Sequence, residues 1–209
     1  MIELETYPDA DAAARRVAEL VAERAEASGG SLSLALSRAD GELLTTLAGR
    51  LPWPRVTVYQ VDERVAPAGS ADRNATALLA ALPRERLELM PVEEPHLDAA
   101  ANAYGSRLPG RLDVVHLGLG PDGHTASLLP GDPMLEVRDR PVAVTGKYQG
   151  YRRMTLTYPP LENAGELVWL VTGESKRDAL RRLLDRDGSI PAARIENENQ
   201  LVVADEAAS

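Results

Sequence analysis

Asp113-Val114-Val115-His116-Leu117-Gly118-Leu119 is an apolar run that ends directly in a glycine-rich turn, Gly120-Pro121-Asp122-Gly123. A run this apolar reads as a strand covered on both faces, as in parallel sheets. The turn after it reads as the entry to a short helix. Before this run the pattern alternates. Residues 9–27 are Ala-rich, with Val17, Leu20 and Val21 at helical spacing, Asp9 or Asp11 placed to cap them, and Ser28-Gly29-Gly30 to end them. Residues 32–36 read as a strand, 42–51 as a helix, 55–61 as a β-branched strand, and 71–82 and 97–108 as helices. After the run, 142–145, 154–157, 166–172 and 201–204 read as strands, and 175–185 as a helix.

This alternation predicts an α/β fold: a three-layer αβα, Rossmann-like, mostly parallel sheet with helices on both faces. No linker divides the chain. Residues 83–95 read as a loop, so residues 1–209 are expected to form one domain, with 205–209 a frayed tail. Such sheets bind ligands at the carboxyl ends of their strands. Chemistry is therefore expected in the loops after Leu36, Val61, Leu119 and Val171.

Composition narrows the chemistry. The chain has 209 residues, 44% apolar and 26% charged, which is too apolar for disorder and ample for a core. With no Cys, disulfide scaffolds, thiolate metal sites and cysteine nucleophiles are excluded. The net charge of −9 argues against nucleic acid or anionic membrane as partner, but not against a small anion met by locally concentrated cations. Only Lys147 and Lys176 among the 23 basic residues are lysine. The acidic N-terminus lacks the order of a signal peptide, and no apolar run is long enough to cross a bilayer. A cytoplasmic protein is expected, as a monomer or small homo-oligomer.

Gly118, Gly120 and Gly123 satisfy G-x-G-x-x-G, the dinucleotide fingerprint. Against that reading, Asp122 sets a carboxylate where a pyrophosphate would sit, Pro121 removes an N–H, and no acidic residue ends the 142–145 strand. The other reading concerns Asp122 and His124. An imidazole at the mouth of a strand–turn–helix junction suits proton transfer, with Asp122 close enough to orient it and loop N–H groups available to an oxyanion. A bland alternative is a turn whose His merely caps the helix. His116 reads as a hydrogen-bonded core residue and His96 as a loop residue. No two His stand at metal-ligand spacing, so no metal is expected.

Asp62-Glu63-Arg64-Val65-Ala66-Pro67 follows the strand at 55–61. Arg64 offers a planar fork for phosphate or carboxylate, and Asp62 and Glu63 are placed to hold it or to contact sugar hydroxyls. The alternative is a surface salt-bridge cluster. Asn74 downstream is placed to cap or to tie back the loop.

In series these segments resemble the 6-phosphogluconolactonases over nearly the whole chain. The pieces are Asp62 to Pro67 with Asn74, the Asp122-Gly123-His124-Thr125-Ala126-Ser127-Leu128 segment, Arg153-Met154-Thr155-Leu156-Thr157, Asn163-Ala164, and Gly173-Glu174-Ser175-Lys176. The resemblance implies hydrolysis of 6-phosphoglucono-δ-lactone in the oxidative pentose phosphate pathway, with no cofactor. It implies His124 as general base toward water and Asp122 as its orienting partner. Arg64, Lys176 and Arg153 are the implied cations for this small phosphorylated sugar lactone, and Gly120 and Gly123 are expected at the substrate.

The sequence departs from the family after its first strand. Where the family carries a Ser-Gly-Gly-Ser-Thr-Pro-like phosphate loop, this chain has Ser37-Arg38-Ala39-Asp40-Gly41-Glu42. Either Arg38 replaces the backbone donors, with Asp40 turned away, or the substrate differs; the first reading is preferred. Three other functions compete. The related amino-sugar-phosphate isomerases/deaminases continue the His loop with a glutamate, whereas Ser127-Leu128-Leu129-Pro130 stands here. A non-catalytic sugar-phosphate sensor would not need Asp122 and His124. A nicotinamide dehydrogenase rests on the glycine pattern alone.

Overall fold

The computed structural model describes residues 2–39 and 41–209. The elements, in chain order, are β1 (Glu3–Tyr7), α1 (Ala10–Ala27), β2 (Leu32–Leu36), α2 (Gly41–Arg50), β3 (Val56–Gln60), β4 (Asp62–Arg64), α3 (Asn74–Ala81), β5 (Leu87–Glu88), α4 (Leu97–Gly105), β6 (Val114–Gly118), β7 (Val142–Val144), β8 (Arg153–Leu156), α5 (Tyr158–Glu162), β9 (Glu166–Val171), α6 (Arg177–Leu184) and β10 (Gln200–Asp205). The Asp9 carboxylate caps α1 by accepting from the Ala12 N–H at 2.8 Å.

Seven strands form a wholly parallel sheet in the order β1-β10-β9-β6-β2-β3-β5. Alternate residues of the central strands feed two separate cores. Leu34, Leu36, Val114, Val168 and Val203 face α1, α2 and α3. Ala35, Val115, Leu117, Trp169 and Val202 face α4, α5 and α6. Both faces are dry, which is why β6 and β9 read as continuous apolar runs.

Two features were not predicted. β1 adds an edge strand parallel to β10. A second, antiparallel sheet of three strands, β4-β8-β7, packs on the α4 side, with Arg64 registered opposite Arg153. The helix expected after the glycine loop is absent: residues 119–132 are a series of turns. Ala126 sits at φ 52°, outside the right-handed helical region. The 205–209 segment, expected to fray, is tied down. Asp205 accepts from the N–H groups of Gly173 and Ala208, and Arg177 donates to the carbonyls of Ala207 and Ser209. Among the described residues no helix is long and apolar enough to cross a membrane.

From β2 the chain proceeds outward through β3 to β5, then returns to the other side of β2 for β6, β9 and β10. Strand order therefore reverses between β2 and β6. The loops leaving those two strands diverge and open a crevice at their carboxyl ends.

Candidate active site

A cavity of about 410 Å³ occupies that crevice. Each loop expected to carry chemistry reaches it: Ser37 and Arg38 after β2, Asp62 and Arg64 after β3, Gly120, His124 and Ala126 after β6, and Thr172 and Lys176 after β9. Arg153 enters from β8 of the second sheet.

His124 Nδ1 lies 2.5 Å from Asp122 Oδ1, and the His124 backbone N–H donates to the same oxygen at 3.2 Å. Partial burial pushes the Asp122 carboxyl up, but the bonds from His124 outweigh it and hold the group below its ordinary value. Asp122 is thus a carboxylate that fixes Nδ1 as the protonated nitrogen and leaves Nε2 as the lone-pair acceptor. Gly120 permits this arrangement. A Cβ there would lie 2.1 Å from His124 Nδ1 and 2.7 Å from Asp122 Oδ1.

The loop supplies fewer anion donors than the sequence suggested. No helix N-terminus opens here, and the Gly120 N–H donates to the His124 carbonyl at 2.8 Å. Gly123, at φ 81°, packs its Cα against Ile190 and donates its N–H to the Gly120 carbonyl at 2.9 Å. Gly123 therefore does not contact the cavity and is a structural glycine.

Glu63 is also corrected. It is fully buried and its two oxygens accept from the N–H groups of Arg64, Asn74 and Ala75 and from Gln60 Nε2. Two of those N–H groups open α3, so this carboxylate caps a helix and has no capacity left for a sugar. Asp62 does face the cavity. Its Oδ2 accepts from Ser127 Oγ at 2.7 Å and its Oδ1 from Asn74 Nδ2 at 3.1 Å. Burial raises its pKa, against the pull of Ser127, Arg64 and Arg153. Asn74 ties the loop back, since its amide also donates to the Asp62 carbonyl.

Cations gather here. Arg64 is anchored by one hydrogen bond to the Asp72 carbonyl and Arg153 by one to Gln149. Both leave a buried Nε without a partner. Arg153 is 3% exposed, and burial together with the charge of Arg64 lowers its pKa. Lys176 ends a short 3-10 turn, Glu174–Lys176, ahead of α6; burial lowers its pKa while Asp122 opposes that. Arg64, Arg153 and Lys176 form no ion pair with a carboxylate among the described residues. All three line the cavity, and only the more distant charges of Asp62 and Asp122 offset them. Arg38 is exposed at the rim, and Asp40 lies outside the described residues.

His116, read as a hydrogen-bonded core residue, is buried, but neither ring nitrogen has a partner and the ring forms part of the cavity wall. Burial pushes it down to about 4, so it is neutral near pH 7. Its place on the first reversed strand, two residues before the loop, was the available signal. Tyr148 is the other residue not singled out from the sequence: its hydroxyl donates to Asp122 Oδ2 at 3.3 Å.

Comparison with known proteins bears on the family and the fold. The family model for glucosamine-6-phosphate isomerases/6-phosphogluconolactonase matches residues 8–203. The 6-phosphogluconolactonase of Rattus norvegicus is 34% identical over 209 residues, covering 86% of this chain and 81% of that protein. That of Streptomyces coelicolor is 34% identical, covering 87% and 80%. The solved 6-phosphogluconolactonase from Thermotoga maritima superposes with a TM-score of 0.86 at 22% identity, covering 98% of this chain and 99% of that one. A monomeric glucosamine-6-phosphate deaminase superposes with a TM-score of 0.87 at 16% identity, covering 99% and 98%. At those identities the two structures speak to the fold alone. The family model and the curated relatives speak to descent, and by both the chain belongs to the glucosamine-6-phosphate isomerase/6-phosphogluconolactonase family.

Proposed function

We propose that the protein hydrolyses 6-phospho-D-glucono-1,5-lactone to 6-phosphogluconate, the lactonase step of the oxidative pentose phosphate pathway. The observation that carries the reading is the Asp122–His124 pair at 2.5 Å beside a cavity holding four cationic side chains.

In this mechanism His124 Nε2 takes a proton from water as the water oxygen attacks the lactone carbonyl carbon. The carbonyl electron pair moves onto its oxygen, and Asp122 stabilises the imidazolium. The intermediate collapses, the bond from that carbon to the ring oxygen breaks, and His124 returns the proton to the departing oxygen. The product acid then ionises. Since the loop's glycine N–H groups are engaged, the negative charge of the intermediate and of the phosphate falls to Arg64, Arg153 and Lys176, with Arg38 as a further phosphate ligand at the rim.

The deaminase reading needs an acid after the His loop. Ser127, Leu128 and Leu129 are buried there instead, and Ser127 is committed to Asp62. The test compares phosphorylated and unphosphorylated glucono-lactone in a rapid assay, because such lactones also open unaided. The expected result is a kcat/KM at least about 100-fold higher for the phosphorylated lactone, the discrimination of a desolvated anion site. Opening of both lactones at the spontaneous rate, or release of ammonia from glucosamine 6-phosphate, would overturn the reading.

A further inference from the structure

β7 and β8 are joined by a segment whose tip is a tight hairpin, Tyr148-Gln149-Gly150-Tyr151. Its end residues exchange backbone hydrogen bonds at 2.9 and 3.2 Å. Gln149 and Gly150 have φ of 49° and 88°, the paired positive values of a turn that matches strand twist. The hairpin packs against two residues of the cavity lining, His124 and Arg153, and is pinned on both sides. Tyr151 donates to Asp72 Oδ2 at 2.8 Å, and the Asp72 carbonyl in turn accepts from Arg64. The guanidinium of Arg153 lies 5.0 Å over the Tyr148 ring and bonds to Gln149.

What this rigging holds in place is one side chain. The Tyr148 ring meets His124 edge-on, with centroids 5.8 Å apart and planes at 65°. Its hydroxyl donates to Asp122 Oδ2 at 3.3 Å, the carboxylate oxygen that His124 does not use. We propose that Tyr148 is a positioning residue for the Asp122–His124 pair.

Asp122 stands on a turn with 39% of its side chain exposed, so His124 alone would leave its carboxylate free to rotate. A second anchor on Oδ2 fixes the carboxylate plane, and with it the plane and tautomer of the imidazole. The ring wall restricts the imidazole from swinging out. Burial and the Asp122 charge push the phenol up, which keeps it a protonated donor. The proposal rests on the reading of His124 as the base.

The test measures kcat and KM on the phosphorylated lactone for wild type, Tyr148→Phe, Asp122→Asn, the double variant and His124→Ala. Tyr148→Phe keeps the ring and loses only the hydroxyl. It is expected to lower kcat about fivefold with KM within about twofold, as one hydrogen bond to a charged group would. In the Asp122→Asn background the same change should cost no further rate, because the bond's recipient is already altered. An unchanged kcat, a loss confined to KM, or a fully additive double variant would overturn the proposal while His124→Ala stays inactive. Wild-type activity in His124→Ala would instead remove the base reading and this proposal with it.

Discussion

In the proposed mechanism His124 acts as a base through Nε2 because Asp122 occupies its other nitrogen. This pair was legible in the sequence, since a two-residue spacing inside a glycine turn leaves the side chains few other partners. Charge type alone misled at Glu63. It neighbours two residues that do face the cavity, yet its carboxylate turns inward to cap α3. Sequence shows which residues carry charge but not which side of a strand pleat they take. Arg38 is where the residue scale bears on substrate choice. If its guanidinium replaces the backbone donors of the family's phosphate loop, Arg38→Ala should raise KM for the phosphorylated lactone about tenfold, with kcat little changed. An unchanged KM would place phosphate recognition on Arg64, Arg153 and Lys176 alone.

At the scale of elements, the parallel sheet was readable because its central strands are apolar on both faces. The small antiparallel sheet was not. β4 is three charged residues, Asp62-Glu63-Arg64, with no alternation to mark it, and its partner strand β8 begins at Arg153, far along the sequence. The missing helix after β6 has a local cause: Ala126 takes a left-handed conformation, and Pro130 follows soon after. The loop is therefore a scaffold of turns built around the Asp122–His124 pair, and Gly120 is its tightest point. Gly120 has no positive φ, so alanine suits its backbone, but the added Cβ would fall within the imidazole ring's contact radius. Gly120→Ala should keep a near-wild-type Tm and lose kcat by about 100-fold, since a shift of an ångström at the reacting group has that effect. A fully active Gly120→Ala would show that the observed pairing of Asp122 and His124 is dispensable.

Over the whole molecule, a net charge of −9 surrounds a cavity whose side chains include Arg38, Arg64, Arg153 and Lys176 against Asp62. The acidic surface repels polyanions, while a small sugar phosphate meets only the local cluster. One buried group ties the cavity to global stability. His116 titrates near 4 when folded and near its ordinary value when unfolded. Between those values the unfolded chain takes up a proton that the folded chain refuses, so stability falls on acidification through that window and is restored above it. Between about pH 7.5 and about pH 5, wild type should lose about 5 °C more in Tm than His116→Leu. Parallel losses would mean that the ring protonates freely in the fold. The central claim concerns His124. The most direct measurement is the initial rate of opening of the phosphorylated lactone, above the spontaneous rate, for wild type and His124→Ala. Loss of about 100-fold to 10,000-fold in the variant, with its Tm unchanged, is the result expected of a general base; a variant that opens the lactone as fast as wild type would contradict the account.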